Sequence, residues 1–177
     1  MFRFIPALIS AAIILCGCTT NNNIQPVTPF DAAKFCGVWY KIAGYPAGNA
    51  TETRFNFECM PNGKIEFQRR EIIDGKKQTQ SGSLKFNDPD TGVFDLKNSI
   101  FNAGKCYIVY LDRDYREAVI YNERNDELWI LSRKPADKGE IPEYLIDAAH
   151  AVLPDAELKA VEQQENLRVY NAIFDQE

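Results

Sequence analysis

An all-β fold, an eight-stranded antiparallel up-and-down barrel with one α-helix packed outside near the C-terminus, is what this 177-residue sequence predicts. Three observations carry that prediction. Between Gly37 and Arg133 the chain divides into eight short runs in which apolar and polar residues alternate, the period-two signature of half-buried strands. The connections between runs are short and built from Pro, Asn, Asp, Ser and Gly, which suits hairpins between sequential neighbours. Helical spacing of apolar residues is strong only after Pro135. Eight sequential antiparallel strands can close on themselves, removing both sheet edges and leaving an interior about wide enough for one small ligand.

In chain order, residues 1–17 read as a signal peptide: Arg3 precedes an apolar run too short for the roughly 20 residues that span a bilayer. The quartet Leu15-Cys16-Gly17-Cys18 resembles the lipobox of bacterial lipoproteins, which implies cleavage before Cys18 and lipidation of that residue as a membrane anchor. By the same resemblance, Thr19 in place of Asp favours the outer membrane. Residues 18–30, with three consecutive asparagines, read as the lipidated N-terminus and a flexible tether. The domain proper is expected over residues 31–177.

The first strand is expected over residues 37–44 and the second over 51–59, where Thr51, Thr53, Phe55, Phe57 and Cys59 alternate with polar positions. Pro61-Asn62-Gly63 makes a tight turn into a third strand over 64–70. Strands four to eight follow over 78–86, 92–97, 105–111, 117–121 and 127–133. Residues 140–152 carry Leu145, Ala148, Ala149 and Val152 at helical spacing, an amphipathic helix stopped by Pro154. Residues 155–177 mix helical propensity with weak alternation and receive no assignment.

Three motifs are more specific than a strand count. Gly37-Val38-Trp39-Tyr40 contains a Gly-x-Trp opening the first strand, residues 111–118 hold Asp112-Arg113-Asp114-Tyr115 in a turn, and residues 128–133 end the last strand on Arg133. Their order and content resemble the lipocalins over residues 31–160, most closely the bacterial lipoprotein lipocalins. In an up-and-down barrel all three fall at the same end. The resemblance implies a closed base in which Gly37, Trp39, Asp114, Tyr115 and Arg133 are structural, with the Arg133 guanidinium stacked on the Trp39 ring.

The opposite end is then the open mouth, rimmed by residues 45–50, 72–77, 98–104 and 122–126. Counting back from Arg133 turns Leu131 and Trp129 inward, and the resemblance places this tryptophan in the ligand pocket. Phe55, Phe57 and Phe67 add aromatic walls. Strand six offers either Tyr107, Val109 and Leu111 or Cys106, Ile108 and Tyr110; Tyr107 and Val109 are taken with the ligand-binding set. Such a lining suits an elongated apolar molecule, a fatty acid or lysophospholipid, held for storage, transfer or scavenging in the cell envelope. The alternatives are an envelope structural or stress protein with a filled barrel, and an isomerase using a pocket thiol at Cys106. Residues 99–105 lack the aromatic-rich insertion of the bacterial relatives and keep only Phe101, so a monomer or weak dimer is expected.

Composition excludes other classes. With 20 basic against 25 acidic residues and no Lys/Arg stripe, nucleic acid is not an expected partner. A single histidine, His150 on the expected outer helix, rules out a multi-histidine zinc site, and neither a metal nor a cofactor is expected. Of five cysteines, Cys16 leaves with the signal and Cys18 takes lipid. If Gly44 and Thr51 bracket the first hairpin, Cys36 falls opposite Cys59 and a disulfide can form; strict alternation with Trp39 inward puts Cys36 on the wrong face, a conflict that a turn before Gly37 relieves. Cys106, toward the mouth, is expected free.

Overall fold

The computed structural model describes residues 24–98, 102–136 and 140–161. The expected signal peptide, the Cys18 anchor, Phe101 and the tail beyond residue 161 lie outside the described residues. A short helix, α1 (Ala32–Phe35), leads into β1 (Gly37–Tyr45), β2 (Ala50–Cys59), β3 (Ile65–Ile73), β4 (Lys76–Phe86), β5 (Val93–Asn98), β6 (Asn102–Leu111), β7 (Glu117–Asn122) and β8 (Glu127–Ser132). Helix α2 (Glu143–His150) and a two-residue strand, β9 (Lys159–Ala160), follow.

Each of β1 to β8 pairs antiparallel with the next, and β8 pairs back onto β1, closing the expected eight-stranded barrel. The β1–β2 ladder covers only the lower part, from Gly37 opposite Phe57 to Tyr40 opposite Arg54. Above it, a register shift between Lys41 and Ala43 bends β1 away, and β9 pairs with Ala43 and Gly44. Neither α1 nor β9 is among the sequence expectations, since runs of four and two residues carry no period to detect.

Two apolar clusters divide the molecule. The interior cluster takes side chains from every barrel strand, including Trp39, Phe55, Phe57, Phe67, Leu84, Phe94, Cys106, Ile108, Ile120, Trp129 and Leu131. The outer cluster places Leu145 and Ala149 of α2 against Val119, Tyr121, Leu128 and Ile130 of β7 and β8. Because β7 and β8 are buried on both faces, they read as near-continuous apolar runs. The helix starts later than the expected residue 140 because the Pro142 ring disfavours helical backbone at the preceding Ile141, and the first helical hydrogen bonds run to the Pro142 carbonyl.

Two further expectations are corrected. The flexible tether does not extend to residue 30: the Val27 N–H donates to the Ile108 carbonyl at 2.8 Å, the Gly92 N–H donates to the Val27 carbonyl at 2.9 Å, and Phe30 is buried on Phe86. Its Asn/Pro-rich composition conceals three apolar residues, Ile24, Val27 and Phe30, that pack on the two clusters. The rim loop expected over 72–77 shrinks to Asp74-Gly75, both at positive φ, since Asp-Gly accepts the tight two-residue hairpin turn and lets β3 and β4 run on to Ile73 and Lys76.

Candidate functional site

The closed base fixes the orientation of everything above it. Asp31 caps α1 through its carboxylate, which accepts from the N–H groups of Ala33 and Lys34. The helix stops at Cys36, and Gly37 takes φ +104°, where a Cβ would come within 3.0 Å of Arg133 Nη1. This break in strand geometry resolves the conflict over Cys36, which forms a disulfide with Cys59 at a Cα separation of 5.9 Å. The register differs by one residue from the expected one: Trp39 faces Phe55 rather than Asn56, so Trp39, Phe55 and Phe57 share the interior face.

The Arg133 guanidinium carbon sits 3.9 Å from the centroid of the Trp39 ring. Its nitrogens donate to the carbonyls of Lys34, Phe35, Cys36, Val38 and Tyr115 at 2.9 to 3.1 Å. Trp39 Nε1 donates to the Phe35 carbonyl at 2.8 Å. In the β6–β7 turn Tyr115 adopts φ +56° and its hydroxyl accepts from the Asp31 N–H. Asp114, expected among the base residues, is instead exposed and only pairs loosely with Arg116 at 3.6 Å. The turn is held by its neighbour: Asp112 carboxylate oxygens accept from the N–H groups of Asp114, Arg116 and Glu117. Two aspartates two apart in a turn look equivalent in sequence; only the one whose carboxylate faces back over the turn can cap it.

Above the base the interior is filled by aromatic rings. Phe57 packs between Phe35 and Phe67 at centroid distances of 5.1 and 6.4 Å, and Phe55 stacks on Phe57 at 5.7 Å. Leu131 is also fully buried here. Neither Phe57 nor Leu131 reaches the open space described below; they belong to its packed floor.

That space comprises two adjoining cavities at the mouth. One, of about 240 Å³, is walled by Phe55, Phe67, Leu96 and Trp129 and capped by polar groups that include Arg69, Gln80, Asn125 and Glu127. The other, of about 270 Å³, shares Arg69 and Glu127 and opens beside the gap between β1 and β2, where Pro46, Ala47, Ile73 and Val161 line it. Phe55, Phe67 and Trp129 are therefore brought together as expected. Tyr107 and Val109 are not: they face outward against the α2 cluster, with the Tyr107 ring on Tyr121, while Cys106 and Ile108 face in. Apolar residues on both faces of β6 left its parity open in the sequence, and the register of β6 on β7 decides it.

The polar cap went unread in the sequence, although alternation points to it. Counting up from Phe67 gives Arg69 and Glu71, and counting back from Trp129 gives Glu127. Arg69 Nη2 pairs with Glu71 Oε2 at 2.9 Å, and the Thr53 hydroxyl donates to Glu71 Oε1 at 3.2 Å. Lys41, on the wall of the second cavity, has its ammonium pKa lowered by burial; Glu127 and Glu71 oppose that shift and Arg69 adds to it.

Cys106 is fully buried and unbonded to sulfur, and burial, reinforced by Glu127 and Asp95, pushes its thiol pKa far up. That environment disfavours the thiolate. His150 sits on α2 beside the Ala156 carbonyl at 3.1 Å, away from both cavities. Among the described residues no group of three His, Cys, Asp or Glu could hold a metal ion, and no helix is long and apolar enough to cross a membrane.

Comparison with other proteins agrees with this architecture. The family model described as a lipocalin-like domain matches residues 30–163. Outer membrane lipoprotein Blc of Citrobacter freundii is 28% identical over 160 residues, covering 83% of this chain and 89% of that protein. The protein of the same name from Escherichia coli K12 is 27% identical over 159 residues with the same coverage. Temperature-induced lipocalin-1 of Arabidopsis thaliana is 26% identical over 144 residues, 74% of this chain and 77% of its own. Among solved structures, insecticyanin from the tobacco hornworm Manduca sexta superposes with a TM-score of 0.59 at 18% identity, covering 81% of this chain and 86% of its own. Lobster apocrustacyanin A1 superposes at 0.56 and 16% identity, covering 75% and 79%. The family match spans the whole barrel and includes both the floor and the mouth, and the chain belongs to the lipocalin family.

Proposed function

We propose that this lipocalin is an envelope lipoprotein, tethered to the bacterial outer membrane through lipid on Cys18, that takes up a small amphiphile such as a fatty acid or lysophospholipid at the barrel mouth. Its role is storage, transfer or scavenging next to the membrane rather than catalysis. The observation that carries the reading is the pair of adjoining mouth cavities whose inner wall is Phe55, Phe67, Leu96 and Trp129. Together they fall in the lower part of the roughly 300–1,000 Å³ range of small-molecule sites. Burying apolar ligand surface there contributes about 25 cal/mol per Å². The Cys18 quartet and the relatives named outer membrane lipoproteins support the anchoring.

The packed aromatic floor favours a second reading, a filled barrel with a structural role. The full chain, expressed in a bacterium and extracted from its membranes, separates the two. Native mass spectrometry of the extract is expected to show N-terminal diacyl or triacyl mass on Cys18 and a co-purifying amphiphile. A protein free of lipid adducts, whose tryptophan fluorescence does not respond to laurate or lysophosphatidylcholine, would be the structural protein instead.

A further inference from the structure

Two buried N–H donors on the wall of the 240 Å³ cavity have no hydrogen-bond partner among the described residues: Trp129 Nε1 and Arg69 Nε. Both are held in place by other contacts. The Trp129 side chain, 3% exposed, lies against Phe55 with ring centroids 5.3 Å apart. Arg69 is fixed from its far side by the 2.9 Å pair with Glu71. A buried donor left unmade costs on the order of 1–3 kcal/mol, so natural interiors rarely keep one, and these two flank one residue, Phe55, the cross-strand partner of Arg69 and the ring against Trp129. Nothing in the apolar lining can supply an acceptor. The oxygens of the polar cap meet neither donor, and a ligand seated between the apolar wall and the cap can bring the acceptor.

Charge decides what kind of acceptor. The cavity that holds the two donors is lined by one cation, Arg69, which is already paired with Glu71, and by one carboxylate, Glu127, while Lys41 and Lys159 line only the neighbouring cavity. A carboxylate or phosphate monoester beside the two donors would meet Glu127 and an Arg69 already paired with Glu71, so it gains no net attraction for losing its water. An uncharged carbonyl oxygen loses far less on desolvation and satisfies both donors through its two lone pairs.

We propose that the cavity recognises its amphiphile through an uncharged carbonyl oxygen, that of an acyl ester or amide, accepting from Trp129 Nε1 and Arg69 Nε together. The inference rests on the ligand-binding reading above and narrows it from amphiphiles in general to acyl esters and amides. Trp129 and Arg69 then set specificity, while Phe55, Phe67 and Leu96 supply contact area.

Isothermal titration of the full-length protein with three ligands of one chain length, methyl laurate, laurate and dodecane, tests it. The ester is expected to bind about tenfold more tightly than dodecane, and more tightly than laurate. Trp129→Phe keeps a ring against Phe55 and removes the N–H, so it should weaken methyl laurate about five- to tenfold more than it weakens dodecane. Arg69→Lys, which keeps the charge but not Nε, should do the same and serves if the tryptophan variant misfolds. Equal binding of all three ligands, or tightest binding by laurate, overturns the carbonyl proposal and leaves ligand binding standing. No binding by any of the three removes both.

Discussion

Arg133 gives the sharpest stability prediction, because one side chain joins four parts of the molecule: the α1 end, the start of β1, the β6–β7 turn and the end of β8. Arg133→Ala removes five donated hydrogen bonds and the stacking on Trp39. Bonds to a charged donor are worth roughly 1.5–3 kcal/mol each in isolation. The guanidinium is only half-buried, though, and several of the freed carbonyls can recover water, so simple addition overstates the effect. We take about 3–4 kcal/mol, of which the cation–ring contact supplies about 1 kcal/mol. For a domain of this size that lowers Tm by roughly 10 °C, readable by far-UV circular dichroism. Arg133→Lys is the discriminating partner: an ammonium is a point charge with three donors and cannot span carbonyls on four segments, so it should recover less than half of the loss. A loss below about 1 kcal/mol in the alanine variant, or a lysine variant matching the wild type, would refute the account of the base.

Other expectations follow from single features. Reducing the Cys36–Cys59 disulfide, or replacing both cysteines with alanine, frees a loop of 23 residues' separation and should cost about 3 kcal/mol, seen as a lower denaturant midpoint; an unchanged midpoint would show that the ladder alone holds this corner. Cys106, Tyr107 and Tyr144 all have raised pKa values, the two tyrosines to about 12, so their contribution is complete at neutral pH and is lost once the unfolded chain can ionise. Tm should be flat from pH 6 to 8 and fall above about pH 9, with Cys106→Ser delaying the onset; a Tm that rises through that range contradicts the assignment. Gly82→Ala puts a methyl group against the Lys97 carbonyl and within 2.5 Å of the Phe67 ring, so it should lower stability by about 2 kcal/mol and disturb the cavity wall together, whereas the same change at open Gly63 costs only its φ strain.

The barrel was legible because its strands obey alternation and its base motifs sit at fixed positions along it. Trp39, Arg133 and Trp129 stand where counting places them. Legibility failed where both faces of a strand are apolar: Tyr107 and Val109 satisfy an outer helix as well as they would an interior, and only pairing to β7 tells the faces apart. It failed again in the mouth for the opposite reason. Arg69, Glu71 and Glu127 hold the right parity, but charged residues near strand ends read as solvated, and here they line cavities that loop residues such as Pro46, Ala47 and Asn125 also border. The Cys36 conflict shows a third limit, since a single glycine at positive φ cancels the parity rule at the start of β1, as the register shift between Lys41 and Ala43 does again further along.

The base also governs the order in which the molecule can assemble. Hairpins from β2–β3 through β7–β8 join neighbours in sequence and can form as soon as each turn closes. Arg133, by contrast, reaches carbonyls 95 to 99 residues earlier, so the floor has no keystone until nearly the whole barrel sequence is present. Until then β1 has no β8 to pair with, and the segment around Trp39 stays open to solvent. Closure is thus a late, long-range event. A chain stalled before Arg133 would present an aromatic strand edge, the kind of surface that chaperones bind and neighbouring chains pair with.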